Sequence, residues 1–411
     1  MPIHSSLLDK PRLFAKLKAF YDHLKKNDGK IGTFRRGIEM NYNNACNLRC
    51  KYCFTNSPKG EGVKEFLPIK KIKEIADEAD ELGFIEWDLQ GGELLLWPDE
   101  LFDVLEAIKP ERFYLYLTTN GWKLDRKMVK KLSKYHVGRI SVSIDSMDPE
   151  VHDELRGRKD SWRRAMESLK MVQEAGIDPY LNITVGHYNA KSEDLRMLLD
   201  YSKKNRYRTL INVACPSGMW NKVHDEVCDE EDREHIRKLR KEYKNLNRNL
   251  WNPFDKNHEK ILGCTTVNRM YITPTGDVLA CPYVHIKIGN VFKQSLKEIS
   301  DYGFRIKHFR NHSDLCLAGE DKEFINKFMT RSGQTIFNPS HAKDILTSAG
   351  VPISDIILTR SADMRYVGQG FEISVPIPEG SFKGGKSDQF TSAFNTTYEN
   401  LFKRYLTHVP R

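Results

Sequence analysis

The 411-residue sequence predicts an α/β fold in which crossover helices join the strands of a parallel sheet. Two observations lead to this fold class. From Arg35 to Ala214, strand-like runs alternate with segments of helical periodicity. Polar or glycine-rich clusters also follow successive strands at their carboxyl ends, where such folds place their functional groups. The alternation by itself fits either an open sheet or a partial barrel.

The predicted strands are short runs rich in β-branched and aromatic residues, at 36–42, 84–90, 113–118, 139–145, 180–185 and 209–214. The helices between them show apolar residues at three- and four-residue spacing, at 67–82, 98–108, 124–135, 161–175 and 192–204. A helix within residues 5–27 precedes the sheet and ends at Asn27-Asp28-Gly29.

The loop after the first strand carries Cys46, Cys50 and Cys53 in a CxxxCxxC pattern. Three thiolates on one short loop can hold three irons of a [4Fe-4S] cluster and leave the fourth open to a small chelating molecule. Zinc is an alternative, but a structural zinc site needs four ligands, and no further His or Cys follows closely. A disulfide between two of the cysteines, with the third left free, is another interpretation. The sequence lacks the secretory context that would favour a disulfide.

Polar residues follow the second and third strands, end the fourth and lie on the fifth. Taken singly, each fits a turn or a helix cap, but together they predict one site at the carboxyl ends of the strands. The set is Gly91, Gly92, Glu93, Asn120, Ser143, Asp145 and Asn182.

Composition narrows the class of protein. The net charge of +9 is spread along the chain, so nucleic-acid binding is not indicated. Neither a signal-like start nor an apolar run of transmembrane length is present in the sequence, so we expect a cytoplasmic protein without a membrane partner. Eight cysteines suit a reducing compartment.

The cysteine loop with Tyr52 before its last cysteine, Gly-Gly-Glu after strand two and Ser-Ile-Asp on strand four resemble the radical S-adenosylmethionine (radical SAM) superfamily over residues 33–218. The resemblance implies a partial (β/α)6 barrel and a [4Fe-4S] cluster on the three cysteines. It also implies that the open iron binds S-adenosylmethionine (SAM).

The resemblance further implies roles for the strand-end residues. Glu93, with Gly91 and Gly92, would receive the SAM amino group, and Ser143 and Asp145 would approach the ribose. Arg156 would meet the SAM carboxylate, the alternative being an ordinary ion pair. These residue types suit the roles, because a carboxylate pairs with an ammonium and an arginine fork with a carboxylate.

A charged helical connector at 219–260 leads to a second thiol set, Cys264, Cys281 and Cys316, around a predicted hairpin. Residues 261–328 resemble the SPASM or shorter twitch domain, which implies an auxiliary iron-sulfur cluster. A SPASM domain would bring seven cysteines. Here three can hold a cluster with an open iron, Cys215 or Cys228 can supply a fourth ligand, or the thiols are simply buried.

Residues 335–411, through Asp-Met-Arg-Tyr-Val-Gly-Gln-Gly-Phe-Glu at 363–372, resemble the C-terminal part of hydantoinase A and 5-oxoprolinase subunits. This implies an appended α+β fragment after the N-terminal helix (1–32), core (33–218), connector (219–260) and auxiliary domain (261–328). We expect no hydrolase activity from the fragment, because the catalytic body of such enzymes is missing.

The radical SAM resemblance implies an enzyme that reductively cleaves SAM and modifies an unactivated carbon of a small-molecule substrate, such as a carbohydrate-like metabolite, or of a peptide. A flavodoxin or ferredoxin would donate the electron. Two alternatives stay open: an iron-sulfur electron-transfer protein without SAM turnover, and an ATP-dependent cyclic-amide hydrolase suggested by the tail alone.

Overall fold

The computed structural model describes residues 10–57, 65–255, 259–329, 339–342 and 344–345. Its strands form one sheet in the order β11-β10-β9-β8-β1-β2-β3-β4-β5-β6-β7. They are β1 (Gly37–Asn41), β2 (Glu86–Gln90), β3 (Tyr114–Thr119), β4 (Arg139–Ser143), β5 (Asp178–Val185), β6 (Arg208–Val213), β7 (Leu246–Asn247), β8 (Arg269–Ile272), β9 (Asp277–Leu279), β10 (Ile286–Asn290) and β11 (Ser340–His341).

Strands β1 to β7 pair in parallel with their sequence neighbours, and helices cross over between them. The sheet does not close on itself, because β7 and β11 are its two ends. This confirms the predicted α/β fold and its partial barrel. The helices are α1 (Pro11–Lys26), α2 (Ile69–Glu81), α3 (Pro98–Ile108), α4 (Arg126–Leu132), α5 (Pro149–Arg156), α6 (Ser161–Glu174), α7 (Glu193–Lys204), α8 (Glu230–Glu242), α9 (Leu296–Arg305), α10 (Lys307–Arg310) and α11 (Lys322–Phe324).

The central strands are buried on both faces, as parallel strands covered by helices should be. All five residues of β1 and of β4 are buried. Apolar side chains of the strands, such as Ile38 and Leu115, join the helices in one large core. The remaining strand residues face the barrel interior and are largely polar.

Helix α5 was not predicted, because it lacks an apolar stripe and buries only His152 and Arg156. Local signals nevertheless define both of its ends. Asp148 accepts hydrogen bonds from the first turn, Pro149 occupies the first helical position, and Gly157 ends the helix at a φ of +66°.

The predicted hairpin forms from β8 and β9, and it continues the sheet of the barrel. Strand β8 lies parallel to β1, with Arg269 opposite Gly37. Strand β10 follows antiparallel to β9, and β11 pairs in parallel with β10. The segment that carries Cys264 and Cys281 is therefore anchored along the edge of β1 that does not pair with β2.

Only residues 339–342 and 344–345 of the predicted C-terminal fragment belong to the described part of the chain. Within them, Ala342 and Ile345 pack into the main core. The rest of the predicted fragment lies outside the described residues. In the described part, no helix combines the length and apolar character needed to cross a membrane.

Candidate active site

The loop that carries the first three cysteines begins directly after β1 and is held first by the loop after β2. The Glu93 N–H donates to the Ala45 carbonyl at 2.7 Å, and the Gly92 N–H donates to the Asn43 carbonyl at 3.1 Å. A Cβ on Gly92 would lie 2.0 Å from the Ala45 carbonyl oxygen. Gly92 is therefore needed for the backbones to approach each other.

The middle of the cysteine loop is held by the end of α5. The Arg49 N–H donates to the Arg156 carbonyl at 3.2 Å, and the Lys51 N–H donates to the Leu155 carbonyl at 2.9 Å. A Cβ on Gly157 would lie 2.3 Å from the Arg49 carbonyl oxygen. Glycine serves here both for its positive φ and for this close approach.

The end of the loop is held by the segment after β6. The Met219 N–H donates to the Cys53 carbonyl at 2.9 Å. Gly218 has a φ of +60°, and a Cβ on it would lie 2.1 Å from the same oxygen. Backbone from the loop after β2, the end of α5 and the segment after β6 thus fixes the cysteine loop. Sequence analysis missed Gly157 and Gly218, although Gly218 follows a predicted strand within Pro-Ser-Gly, a recognisable turn signal.

Arg156 joins the loop to the end of β4. Its Nε donates to Asp145 Oδ2 at 2.6 Å, and its Nη1 lies 3.8 Å from the Cys50 sulfur. Asp145 also accepts from the Tyr52 hydroxyl and from the Thr184 N–H. Burial raises the pKa of Cys50 to about 11, and the charge of Arg156 opposes this rise. The structure thus forms the ion pair and also places the cation beside a cysteine of the loop.

Glu93 lies under the other end of the loop, fully buried. Its Oε1 accepts from Thr119 Oγ1 at 2.7 Å and from the Leu95 N–H at 3.0 Å, and its Oε2 accepts from the Asn120 N–H at 2.8 Å. Burial nevertheless raises the pKa of Glu93, and the Glu93 charge in turn raises that of Cys46. A carboxylate accepts about four hydrogen bonds, so Oε2 can take one more donor.

Among the other predicted strand-end residues, Asn120 and Gly91 contact the same loop, and Ser143 and Asn182 lie on the adjacent strands β4 and β5. Asn120 Nδ2 donates to Asn47 Oδ1 at 2.9 Å and lies 4.0 Å from the Cys46 sulfur. Ser143 is opposite Asn182 in the β4–β5 register. Asn182 Oδ1 accepts from Asn212, which extends the polar surface to β6. Gly91 stands beside Asn43, where a Cβ would lie 3.0 Å from the carbonyl oxygen.

An aromatic wall, which sequence analysis did not predict beyond Tyr52, stands next to Asp145. The rings of Tyr52 and Trp220 have centroids 5.4 Å apart, and Tyr188 packs edge-on against Trp220 at 5.8 Å. Tyr188 is 38% exposed, so the wall reaches the surface. A flat aromatic ligand can pack against such a surface.

The barrel interior below the loop carries a buried charge network. Arg269 on β8 contacts Glu39 Oε1 on β1 at 3.0 Å, and Gln90 donates to Glu39 Oε2 at 2.8 Å. Burial, with Glu39 nearby, raises the pKa of Asp88 to about 7. The barrel interior thus offers hydrogen-bond donors, hydrogen-bond acceptors and charged groups to a bound ligand.

The second thiol set gathers at the open end of the hairpin. Cys264 precedes β8 and Cys281 follows β9, and the Val267 N–H bonds the Ala280 carbonyl at 2.7 Å between them. Burial raises the pKa of Cys264 to about 11, and Cys316 adds to this rise. Burial and the charge of Cys316 also raise the pKa of Cys281. The three predicted cysteines thus come within electrostatic reach of each other.

At both thiol sets, the distances between the cysteine sulfurs distinguish an iron-sulfur cluster site from a site for a single zinc ion. Tetrahedral zinc, with bonds of about 2.3 Å, would bring its sulfurs to about 3.8 Å from one another. Among the described residues, no three cysteine sulfurs lie within 4.8 Å of one another. A cluster binds each thiolate to a different iron, so its ligands do not have to gather as closely as those of one zinc ion. All eight thiols are free, so the disulfide alternative is not realised in the structure.

Comparison with known families agrees with this geometry. Residues 40–201 match the radical SAM superfamily, and residues 264–319 match the iron-sulfur cluster-binding SPASM domain. The chain contains a radical SAM domain followed by a SPASM domain. The predicted enzyme class is thereby confirmed at the level of the superfamily. A [4Fe-4S] cluster and SAM are the cofactors that the first domain implies, and the second suggests an auxiliary cluster.

Curated relatives cover parts of the chain. A GTP 3',8-cyclase of Microcystis aeruginosa is 32% identical over 163 residues, which are 37% of this chain and 49% of the relative. The antilisterial bacteriocin subtilosin biosynthesis protein AlbA of Bacillus subtilis is 24% identical over 271 residues, 62% of this chain and 57% of AlbA. The chain therefore spans about half the length of the curated relatives it matches.

Solved structures share the fold at low identity. Streptococcus suis SuiB bound to its precursor peptide SuiA has a TM-score of 0.52 at 19% identity, covering 68% of this chain and 67% of SuiB. The protein anSMEcpe with bound AdoMet and a peptide has a TM-score of 0.52 at 16% identity, covering 76% of this chain and 98% of anSMEcpe. The comparisons give no support to the predicted hydantoinase resemblance of residues 335–411.

Proposed function

We propose that this chain reductively cleaves SAM to methionine and a 5'-deoxyadenosyl radical, which removes a hydrogen atom from an unactivated carbon of a peptide. The observation that carries the proposal is the fixed position of the cysteine loop. Backbone from the loop after β2, the end of α5 and the segment after β6 holds it, with Glu93 below Cys46 and Arg156 beside Cys50.

A [4Fe-4S] cluster, when bound at Cys46, Cys50 and Cys53, supplies the electron for cleavage and an open iron for SAM. The protein residues orient SAM around it. The free acceptor position of Glu93 suits the SAM amino group, and the outer N–H groups of Arg156 suit its carboxylate. The aromatic wall of Tyr52 and Trp220 offers a flat surface for adenine.

Asp145 positions Arg156 and Tyr52 in this scheme. Its Oδ2 is engaged by both side chains and its Oδ1 by the Thr184 N–H. In this proposal Asp145 positions other site residues, instead of approaching the ribose as the resemblance implied.

Ser143, Asn120 and Asn182 would add polar contacts to the ribose or the substrate. Asn120 already donates to Asn47 and accepts from the Trp122 N–H, and Asn182 accepts from Asn212.

Two arguments favour a peptide over a carbohydrate-like substrate. AlbA takes part in the biosynthesis of a bacteriocin, and SuiB and anSMEcpe are named with peptides bound. The polar barrel interior, with Glu39, Asp88 and Arg269, can also accept a polar side chain presented by a longer chain. The peptide backbone would then remain outside the barrel.

A reducing cytoplasm suits eight free cysteines and oxygen-sensitive clusters, so we place the reaction there. One electron is needed for each cleavage. A flavodoxin or ferredoxin is the class of partner that would deliver it.

The test is cleavage of SAM by the anaerobically reconstituted protein after reduction with dithionite. We expect 5'-deoxyadenosine and methionine in equal amounts, and none of the nucleoside from the Cys50→Ala variant. A protein with full iron content that forms no 5'-deoxyadenosine, with or without candidate peptides, would be an electron-transfer module and would contradict the proposal.

A further inference from the structure

Cys215 lies beside the second thiol set, although it belongs to the first domain. It follows β6 by two residues, and its thiol donates to the Val213 carbonyl at 3.2 Å. Burial raises the pKa of Cys215, and the Cys316 thiol lies close enough to raise it further. Gly319, three residues after Cys316, also lies close to Cys215. A Cβ on Gly319 would be 3.1 Å from the Cys215 sulfur. A larger residue at 319 would crowd this thiol.

The thiols of Cys215, Cys264, Cys281 and Cys316 form one group. Besides burial, the charges of Cys281 and Cys316 raise the pKa of Cys215. In the same way, the charges of Cys316 and Cys264 raise the pKa of Cys281. Cys228, the other candidate for a fourth ligand, is not part of this group. It is fully buried, and its thiol points to the Val185 carbonyl at 3.7 Å.

The four thiols reach this point from opposite parts of the sheet. In the strand order, β1 to β5 separate β6 from β8, so the sheet must curl to bring Cys215 to the hairpin cysteines. An ion pair crosses the same gap, with Arg248 Nη2, after β7, 2.6 Å from Glu320 Oε2. The thiol group therefore lies where the two sides of the partial barrel meet.

The four buried thiols need a positively charged partner, which a metal can supply. Thiolates buried together repel one another and lose hydration, so they need a positive partner. Arg248 is the cation that acts on Cys316, and it is already engaged by Glu320. Iron would supply the missing positive charge.

We propose that Cys215 is the fourth ligand of the auxiliary [4Fe-4S] cluster, with Cys264, Cys281 and Cys316 as the other three. The match to the SPASM domain begins only at residue 264, so it does not include this ligand. Four cysteine ligands leave no iron open. The auxiliary cluster then transfers electrons and braces the two sides of the barrel, and it does not bind substrate through iron.

The test uses the full-length chain with Cys46, Cys50 and Cys53 all replaced by Ala, so that iron and the electron paramagnetic resonance (EPR) signal report the auxiliary cluster alone. Into this parent we place Cys215→Ala and, as the matched control, Cys228→Ala. Each protein is reconstituted, analysed for iron and sulfide, reduced, and measured by EPR with and without cyanide, which binds an open iron. The readout does not involve SAM cleavage, so it stands apart from the proposed function.

We expect about four irons in the parent and in Cys228→Ala, and EPR signals that cyanide does not change. Cys215→Ala should either lose iron or keep a cluster whose signal responds to cyanide. The proposal is overturned if the parent itself responds to cyanide, if Cys215→Ala matches the parent, or if Cys228→Ala loses as much iron.

The carboxylate of Glu320 is the competing ligand, because its Oε1 is buried and makes no hydrogen bond. Glu320→Gln in the same parent separates the two. Retained iron without a cyanide response assigns the fourth position to Cys215. A cyanide response in Glu320→Gln together with an unchanged Cys215→Ala would assign it to Glu320 and overturn the proposal.

Discussion

Arg156 lies against Cys50, with its Nη1 3.8 Å from the cysteine sulfur while its Nε donates to Asp145 at 2.6 Å. One guanidinium thus makes a structural ion pair and also contacts a cysteine of the loop. The side chains of Arg156 and Asp145 are largely buried, so water does not screen their ion pair. If Arg156 meets the SAM carboxylate as proposed, stability and SAM binding are coupled at this residue, and a mutational test must separate them.

The first prediction concerns this pair. Arg156→Gln leaves the Asp145 carboxylate buried without its cation and should lower the free energy of unfolding of the apo-protein by about 3 to 5 kcal/mol. Asp145→Asn combined with Arg156→Gln removes the lone charge and should recover most of the loss. SAM affinity should stay low in both variants, because the arginine fork is absent from both. Urea unfolding and SAM titration measure the two effects. Wild-type SAM affinity in the double variant would remove Arg156 from the SAM site.

The second prediction concerns the glycines that hold the cysteine loop. Gly157→Ala and Gly218→Ala place a Cβ 2.3 Å and 2.1 Å from carbonyl oxygens of the loop, so the loop must shift. We expect both variants to bind less iron at the first cluster. Gly83→Ala is the matched control, since Gly83 also has a positive φ but nothing within 4 Å. It should cost only about 1 to 2 kcal/mol of stability and keep its iron. Full iron in Gly157→Ala and Gly218→Ala would show that the loop tolerates displacement.

The third prediction separates the charge of Glu93 from its hydrogen bonds. Glu93→Gln keeps the size of the side chain but loses the charge, so SAM affinity should fall by about 10- to 100-fold, equivalent to roughly 1.5 to 3 kcal/mol. Thr119→Val removes one hydrogen bond to Oε1 and leaves the charge, so its effect on SAM affinity should be smaller. Iron content should not change in either. Equal SAM affinity in wild type and Glu93→Gln would leave Glu93 with its structural role only.

The fourth prediction is a pH dependence of stability. Burial lowers the pKa of His152 to about 4. As the pH falls below about 6.5, the unfolded chain takes up a proton that the folded protein does not bind until about pH 4. The free energy of unfolding should therefore fall with pH in this window, by roughly 1.4 kcal/mol per pH unit for this residue. Burial lowers the pKa of His285 to about 4 as well, so the two histidines act in the same direction.

His152→Asn checks the assignment. The Asn side chain can accept the Asp145 N–H in place of the ring nitrogen, at 3.3 Å in the wild type, and it does not titrate. Urea unfolding at about pH 7 and pH 5 should show a smaller loss of stability in the variant. An equal loss in both proteins would mean that His152 does not drive the acid sensitivity.

The sequence predicts the barrel well because its signals are local. Strand runs, helical stripes and the cysteine spacing each lie within one segment, and β1 to β6 form close to the predicted residues. The strand-end residues could be grouped without coordinates, because parallel strands bring their carboxyl ends together. The signals at Asp148, Pro149 and Gly157 were also local, but without an apolar stripe they did not identify α5 as a helix.

Contacts between distant segments could not be predicted in the same way. The roles of Gly157 and Gly218 depend on carbonyl oxygens far away in the chain, and Trp220 meets Tyr52 only after the sheet curls. Sequence analysis left Cys215 and Cys228 as equal candidates for a fourth ligand, since spacing alone does not distinguish them. Their positions relative to Cys316 do.

The central claim is that SAM binds an open iron held by Cys46, Cys50 and Cys53. The most direct measurement is EPR and electron-nuclear double resonance of the reduced protein with SAM carrying nitrogen-15 in its amino group. We predict that SAM changes the signal of the loop cluster and that the labelled nitrogen couples to it, with neither effect in Cys50→Ala. A loop cluster with full iron content whose signal is indifferent to SAM would contradict the account.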